Sequence, residues 1–180
     1  MHTIKIPSGE IYNEVNNEFI PVKEHVIRLE HSLVSLSKWE EKWHKPFLTD
    51  KEKTQEEIID YIRCMTITQN VDPNAYMLLT RDNIKEIEAY ISDPRTATTI
   101  KEKECTRKEK IITNEIIYYW MISFNIPVEF EKWHLNKLLT LIRVCSIKNQ
   151  PPKKMSRNEI LSRNAAINAA RRKRLNSKLW

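Results

Sequence analysis

Glycine occurs once in the 180 residues, at Gly9. Phosphate-cradling loops of the P-loop or dinucleotide type need several glycines for sharp turns and close backbone approach, so both routes to nucleotide binding are excluded. A nucleophilic serine set between two glycines is excluded on the same ground. An all-β sandwich is disfavoured, because its tight turns lean on positive φ. Cysteine is nearly as scarce. Cys64, Cys105 and Cys145 are an odd, widely spaced set that matches neither a disulfide framework nor a zinc spacing. Cys64 and Cys145 lie among apolar residues at helical spacing and read as small buried hydrophobes, which implies a reducing, intracellular setting. Long apolar runs are missing too. No uncharged stretch approaches the ~20 residues that cross a bilayer, and residues 1–9 lack the basic-then-apolar order of a secretory signal.

What remains is 41% hydrophobic and 30% charged, enough for a packed core in one soluble, largely helical domain with an arm or tail. The charge is unevenly placed. Residues 151–180 hold nine Lys and Arg against Glu159 alone, a charge of +8 that leaves −2 for residues 1–150 out of the total of +6. Such an end seeks an acidic partner, either nucleic acid or an acidic protein surface.

Along the chain, residues 3–31 read as extended. Thr3 to Pro7 alternates and stops at Pro7-Ser8-Gly9, and Ile27, Leu29, His31 and Leu33 alternate with polar residues as in a half-buried strand. The frame Val26, Leu29, Leu33, Leu36 has helical spacing, so this segment fits either. A helical turn from Ser37 carries Trp39 and Trp43 to Lys45, where Pro46 stops it. Thr54 with Glu57 is a capping box opening a helix over 54–68, with Ile58, Tyr61, Ile62 and Met65 as its apolar stripe. Asp72-Pro73-Asn74 is a turn. Thr80 or Asp82 caps the next helix, which carries Ile84, Ile87, Ala89 and Ile91 and ends before Asp93-Pro94. Residues 95–110 are polar and predict an exposed, mobile loop.

The main core pair is expected next. A helix over 108–124 places Ile112, Ile116, Tyr119, Trp120 and Ser123 on one face, flanked by Ile111, Ile117 and Tyr118. After Asn125-Ile126-Pro127, a long helix over 128–149 buries Phe130, His134, Leu138, Leu141, Ile142 and Cys145, with Trp133 and Leu135 alongside. Pro151-Pro152 then breaks the chain, and the capping box of Ser156 and Glu159 starts a last helix to about Leu175, rich in Ala and Arg and without a strong apolar stripe. The fold class is therefore mainly α. It is a helical bundle (37–150) with a short extended or β N-terminal segment (1–36) and a protruding basic C-terminal helix (151–180).

No chemistry is spelled out locally. His44 and His134 each follow a Trp, but only Glu131 stands at ligating distance in sequence from His134, and metal sites need three or four ligands. Glu40-Glu41 and Glu56-Glu57 alternate with Lys and fit a solvated helix face better than an acid/base pair. No catalytic residue, metal or cofactor is assigned. In the tail, Arg171-Arg172-Lys173-Arg174 could neutralise phosphates and Trp180 could stack on a base. Aromatics do not interleave the cations, however, and no nucleic-acid-binding motif is legible.

Three stretches carry a likeness when taken in order. They are Ser37-Lys38-Trp39-Glu40-Glu41-Lys42-Trp43-His44-Lys45-Pro46-Phe47, then Asp60-Tyr61-Ile62-Arg63-Cys64-Met65-Thr66, then Tyr118-Tyr119-Trp120-Met121 running on to Glu131-Lys132-Trp133-His134-Leu135-Asn136-Lys137-Leu138-Leu139-Thr140-Leu141-Ile142-Arg143-Val144-Cys145. With Pro151-Pro152-Lys153-Lys154-Met155-Ser156-Arg157, they resemble a family of small tailed-bacteriophage proteins, the tail assembly chaperones, over about residues 25–175. The resemblance implies a non-enzymatic assembly factor in the host cytoplasm that coats the helical tape-measure protein until tail-tube subunits replace it. Trp39, Trp43, Phe47, Tyr118, Trp120 and Trp133 are then candidates for an apolar client groove, with burial in the core as the competing assignment. The cations Lys153, Lys154, Arg157, Arg163, Arg171, Arg172, Lys173 and Arg174 would form a recruitment arm for tube subunits or a second copy, with nucleic acid as the lesser option and no membrane partner. Two other classes stand beside this one. One is a structural virion protein of neck, baseplate or capsid, whose tail binds neighbours or DNA. The other is an enzyme dependent on His134, Glu115 or Asp60.

Overall fold

The computed structural model describes residues 1–13, 17–49, 52–100, 111–150 and 156–176, and is mainly helical. It divides into two units, Met1–Ile147 and Lys148–Trp180.

The first unit opens with strands β1 (His2–Ile6), β2 (Gly9–Asn13), β3 (Glu18–Val22) and β4 (His25–Leu29). β1 pairs antiparallel with β4, and β2 with β3, in one continuous register from His2 opposite Leu29 to Asn13 opposite Glu18. This is one long hairpin interrupted at Pro7, which has no amide hydrogen to give to a ladder. Alternation buries Ile4, Ile6, Ile27 and Leu29 on one face. Gly9 is not needed for positive φ. A side chain there would meet the Leu78 methyls at 3.1 Å, so the residue marks a close approach. Left-handed backbone is supplied by Asn17, His44, Asn70, Arg95 and Asn125 instead. Asparagine tolerates that region better than most residues, which is how a chain with one glycine still turns.

Both frames over 26–36 are used, each on its own side of His31. The strand ends at Leu29, and helix α1 (Leu33–Trp43) begins four residues earlier than Ser37. Ser32 and Ser35 form a reciprocal cap there. α1 ends at Trp43 because His44 turns left-handed (φ 51°). α2 (Gln55–Met65) has the expected Thr54–Glu57 capping box, but stops at Met65, where the chain joins the edge of β4 through Glu30 N–H to the Met65 carbonyl (2.8 Å). Its buried stripe is Tyr61, Ile62 and Met65, while Ile58 is exposed. A 3₁₀ segment (Pro73–Leu78) capped by Asp72 leads to α3 (Arg81–Ser92). Thr80 caps α3, which buries Ile87 and Tyr90 and leaves Ala89 exposed. Residues 95–100 are largely exposed coil, and 101–110, with Cys105, lie outside the described residues.

α4 (Asn114–Ser123) corrects the expected face. Ile117 and Met121 are fully inside, while Tyr119 and Ser123 point to solvent. The helix closes with a Schellman pair, Ile126 N–H to the Met121 carbonyl and Asn125 N–H to that of Ile122, with Asn125 left-handed and Ile126 buried. The single long helix expected over 128–149 is two pieces, a 3₁₀ segment (Val128–Lys132) and α5 (Leu135–Lys148), separated by extended Trp133. The break lets Leu135 N–H bond the His31 carbonyl (2.9 Å).

Two apolar clusters result. The hairpin strands, Trp39, Tyr61, Ile62, Met65, Tyr76, Ile87 and Tyr90 form the first. Leu33, Leu36, Ile117, Met121, Ile126, Leu135, Leu138 and Ile142 form the second. α1 serves both, so the β segment and the helices share their cores. In the second unit, α6 (Arg157–Asn176) starts at the expected Ser156–Glu159 capping box, and every described side chain on it is exposed. Lys153, Lys154, Pro151, Pro152 and Trp180 lie outside the described residues.

Candidate functional site

The densest constellation lies where α1 crosses α2. Trp39 and Trp43 are one turn apart on α1, and both indole N–H groups donate across the seam. Trp39 reaches the Glu57 carbonyl and Trp43 reaches Asp60 Oδ2, each at 2.9 Å. Lys42 and Lys45 donate to Asp60 and Glu57 respectively. Glu57 also accepts from Thr54 N–H (2.8 Å), and the Lys45 ammonium, followed by that amide, holds its carboxyl below the usual range. Glu40 is the third acid. One oxygen accepts from Phe47 N–H (2.7 Å) and the other from Asn114 N–H at the start of α4 (2.8 Å). Burial raises the Glu40 carboxyl, and the two amides hold it back.

Glu40, Glu57 and Asp60 are all buried, which corrects the expectation of a solvated face for Glu40 and Glu57. Each carboxylate joins two elements, and each is engaged with named donors. Among the described residues no group of three or more His, Cys, Asp or Glu is placed to hold a metal. Three open clefts flank the seam, of about 480, 320 and 550 Å³, lined by residues such as Glu41, His44 and Glu115, then Thr49 and Lys53, then Gln55, Arg63 and Met77. The three carboxylates thus tie α1, α2 and the start of α4 together. Replacing Glu40 with Gln leaves one of the two amides facing an N–H₂ group. About 1–3 kcal/mol of stability should be lost, and a urea midpoint equal to the parent's would show that Glu40 does not join α1 to α4.

The six aromatic candidates do not line one surface. Trp39 is 1% exposed and is core. Trp43 and Phe47 pack against the first cluster, Phe47 stacking on Tyr61 at 4.0 Å. Tyr118 and Trp120 pack against the second, with the Tyr118 hydroxyl donating to Glu131 (2.9 Å). Trp120 also lines an open groove of about 330 Å³ with Phe124, Leu139, Ile142 and Arg143. Trp133 stacks on Phe130 at 3.9 Å and carries the Lys137 ammonium 4.0 Å from its ring.

No protein-family model, curated protein or solved structure matches the chain. Among the described residues no helix is long and apolar enough to cross a membrane.

Sequence reasoning missed a second constellation. His31 is 2% exposed, with Nδ1 2.6 Å from the Tyr61 hydroxyl and its ring 5.0 Å from that of His134. His134 Nε2 lies 3.0 Å from the Tyr90 carbonyl, and the Tyr90 hydroxyl accepts from His31 N–H (3.2 Å). His134 was singled out for its neighbouring Trp, yet its partners lie on α3 and beside β4. His44, the other histidine singled out, borders the 480 Å³ cleft. Of the tail cations, Arg157, Arg163, Arg171, Arg172, Lys173 and Arg174 are on α6.

Proposed function

We propose that this chain is a non-enzymatic morphogenesis protein of a tailed phage, a tail assembly chaperone that holds the helical tape-measure protein in the host cytoplasm until tail-tube subunits displace it. The outer face of α4 supports this reading. Tyr119 and Ile122, three residues apart and therefore on one side of the helix, are 65% and 73% exposed. The buried side of the same helix carries Ile117 and Met121, so α4 is apolar on both sides. A face of this kind suits an amphipathic client helix. The engaged state of Glu40, Glu57 and Asp60 points the same way, since groups committed to holding elements together are poor acids and bases.

Co-expression with the tape-measure protein of the same genome tests it. The tape measure should become soluble with the parent chain. Changing Tyr119 and Ile122 together to Ser should weaken capture about tenfold or more without unfolding the protein, each 1.4 kcal/mol of lost contact being tenfold. Failure to raise tape-measure solubility would end the proposal. The second reading, a structural virion component, is favoured by the exposed cationic α6. Mass spectrometry of purified particles separates the two, because a chaperone is absent from finished tails and a component is present stoichiometrically.

A further inference from the structure

We propose that α6 is a binding element for B-form duplex DNA, seated along the major groove. The inference is independent of the client-binding reading, which concerns α4. α6 has twenty residues, all with exposed described side chains, six of them Lys or Arg against Glu159 alone. At ~1.5 Å per residue it is about 30 Å long.

The arrangement of charge selects the partner. Arg171, Arg172, Lys173 and Arg174 are consecutive, and at ~100° per residue they point in four directions around the helix. A flat acidic protein surface would meet half of that ring at a time. A groove meets three of the four directions, its floor and a wall of phosphates on each side. Ile160, Leu161, Ile167 and Leu175 are exposed and lie within about 120° of the helix circumference, but Asn164, Asn168 and Arg171 stand between them, so they form no continuous stripe for a hydrophobic slot. Between them the helix is slim, with Ala165, Ala166, Ala169 and Ala170, which keeps its diameter near 10–12 Å against a major groove about 12 Å wide. Asn164 and Asn168, one turn apart, share a face with Arg157 and Arg171, and Asn and Arg are the side chains that pair with base edges. The A-form major groove of RNA is too deep and narrow for a helix, so the duplex is DNA.

The test is fluorescence anisotropy of the full chain on a 30-bp DNA duplex, a duplex RNA of the same sequence, and poly-glutamate as competitor, across a salt series. Expected is DNA binding whose log K falls with log salt at a slope near −5, since each neutralised phosphate contributes about −0.9. Changing Arg171, Arg172, Lys173 and Arg174 together to Ala should flatten the slope by about 3–4, with helicity retained because Ala is the best helix former. The same four residues changed to Gln should reproduce the loss with a side chain of similar length. Equal binding of duplex RNA, an unchanged slope in either variant, or poly-glutamate competing as well as DNA at equal charge would each overturn the proposal, the last in favour of an acidic protein partner.

Discussion

The Trp39→Ala variant is expected to lose about 3–5 kcal/mol of unfolding free energy. A domain of ordinary stability has about 5–15 kcal/mol in all, so this single change takes a fifth or more of it. Three losses combine. The indole is among the largest fully buried side chains, and truncation leaves a cavity the fixed hairpin and helices cannot fill. Its edge contact with Phe47 (5.1 Å) and its stacking with Trp43 (6.2 Å) go with it. So does the hydrogen bond that ties α1 to the Glu57 carbonyl of α2. Trp39→Phe separates the contributions, because it keeps most of the ring and drops only the donor and part of the volume. Its loss should be about 1–2 kcal/mol. Urea unfolding followed by near-ultraviolet circular dichroism reports the packed body without the helical signal of α6. A Trp39→Ala loss below 1 kcal/mol would mean the seam between α1 and α2 is not where the fold is held.

Local signals were legible, and long-range ones were not. Thr54 with Glu57 and Ser156 with Glu159 are three-residue patterns whose hydrogen bonds close within one turn, and both boxes form as read. The mainly helical class followed from the lone glycine and the apolar spacings. The phase of α4 was misread because nearly every residue from Ile116 to Ile122 is apolar or aromatic. In such a run any face looks buried, and only the partners Leu33, Leu36 and Leu138 choose Ile117 and Met121. The break before α5 depended on the His31 carbonyl, about a hundred residues away. Glu40 and Glu57 looked solvated because a carboxylate beside lysines usually is. Their burial depends on donors from other elements, Asn114 N–H for Glu40 and Lys45 for Glu57. The tail cations were visible as composition, but their wrapping of a fully exposed helix required the helix itself.

Acidification from pH 7.5 to 5 is expected to cost the folded state about 2 kcal/mol through His31 alone, with His134 adding to it. Burial, and secondarily the neighbouring His134, lowers the His31 imidazole to about 3 from an ordinary 6.5. Burial likewise lowers His134, against the pull of the Tyr90 carbonyl. Between pH 6.5 and about 3 the unfolded chain therefore binds a proton at His31 that the native state refuses. Stability from this residue is complete above pH 6.5 and is lost on the way down, at about 1.4 kcal/mol per pH unit. The carboxylates do not confuse the upper part of that window. The lowered Glu57 contributes stability that is lost as the pH falls from the ordinary carboxylate value through its own lower one, and the raised Glu40 acts in the opposite sense. Urea unfolding at pH 5.0, 5.5, 6.0, 6.5 and 7.5 measures the slope. His31→Gln keeps hydrogen-bonding capacity without a titrating ring, so it should be less stable at pH 7.5 yet lose about one proton's worth of slope between pH 5 and 6.5. A variant whose pH dependence stays parallel to the parent's would show that His31 is not refusing a proton. The acid sensitivity would then have to come from His134.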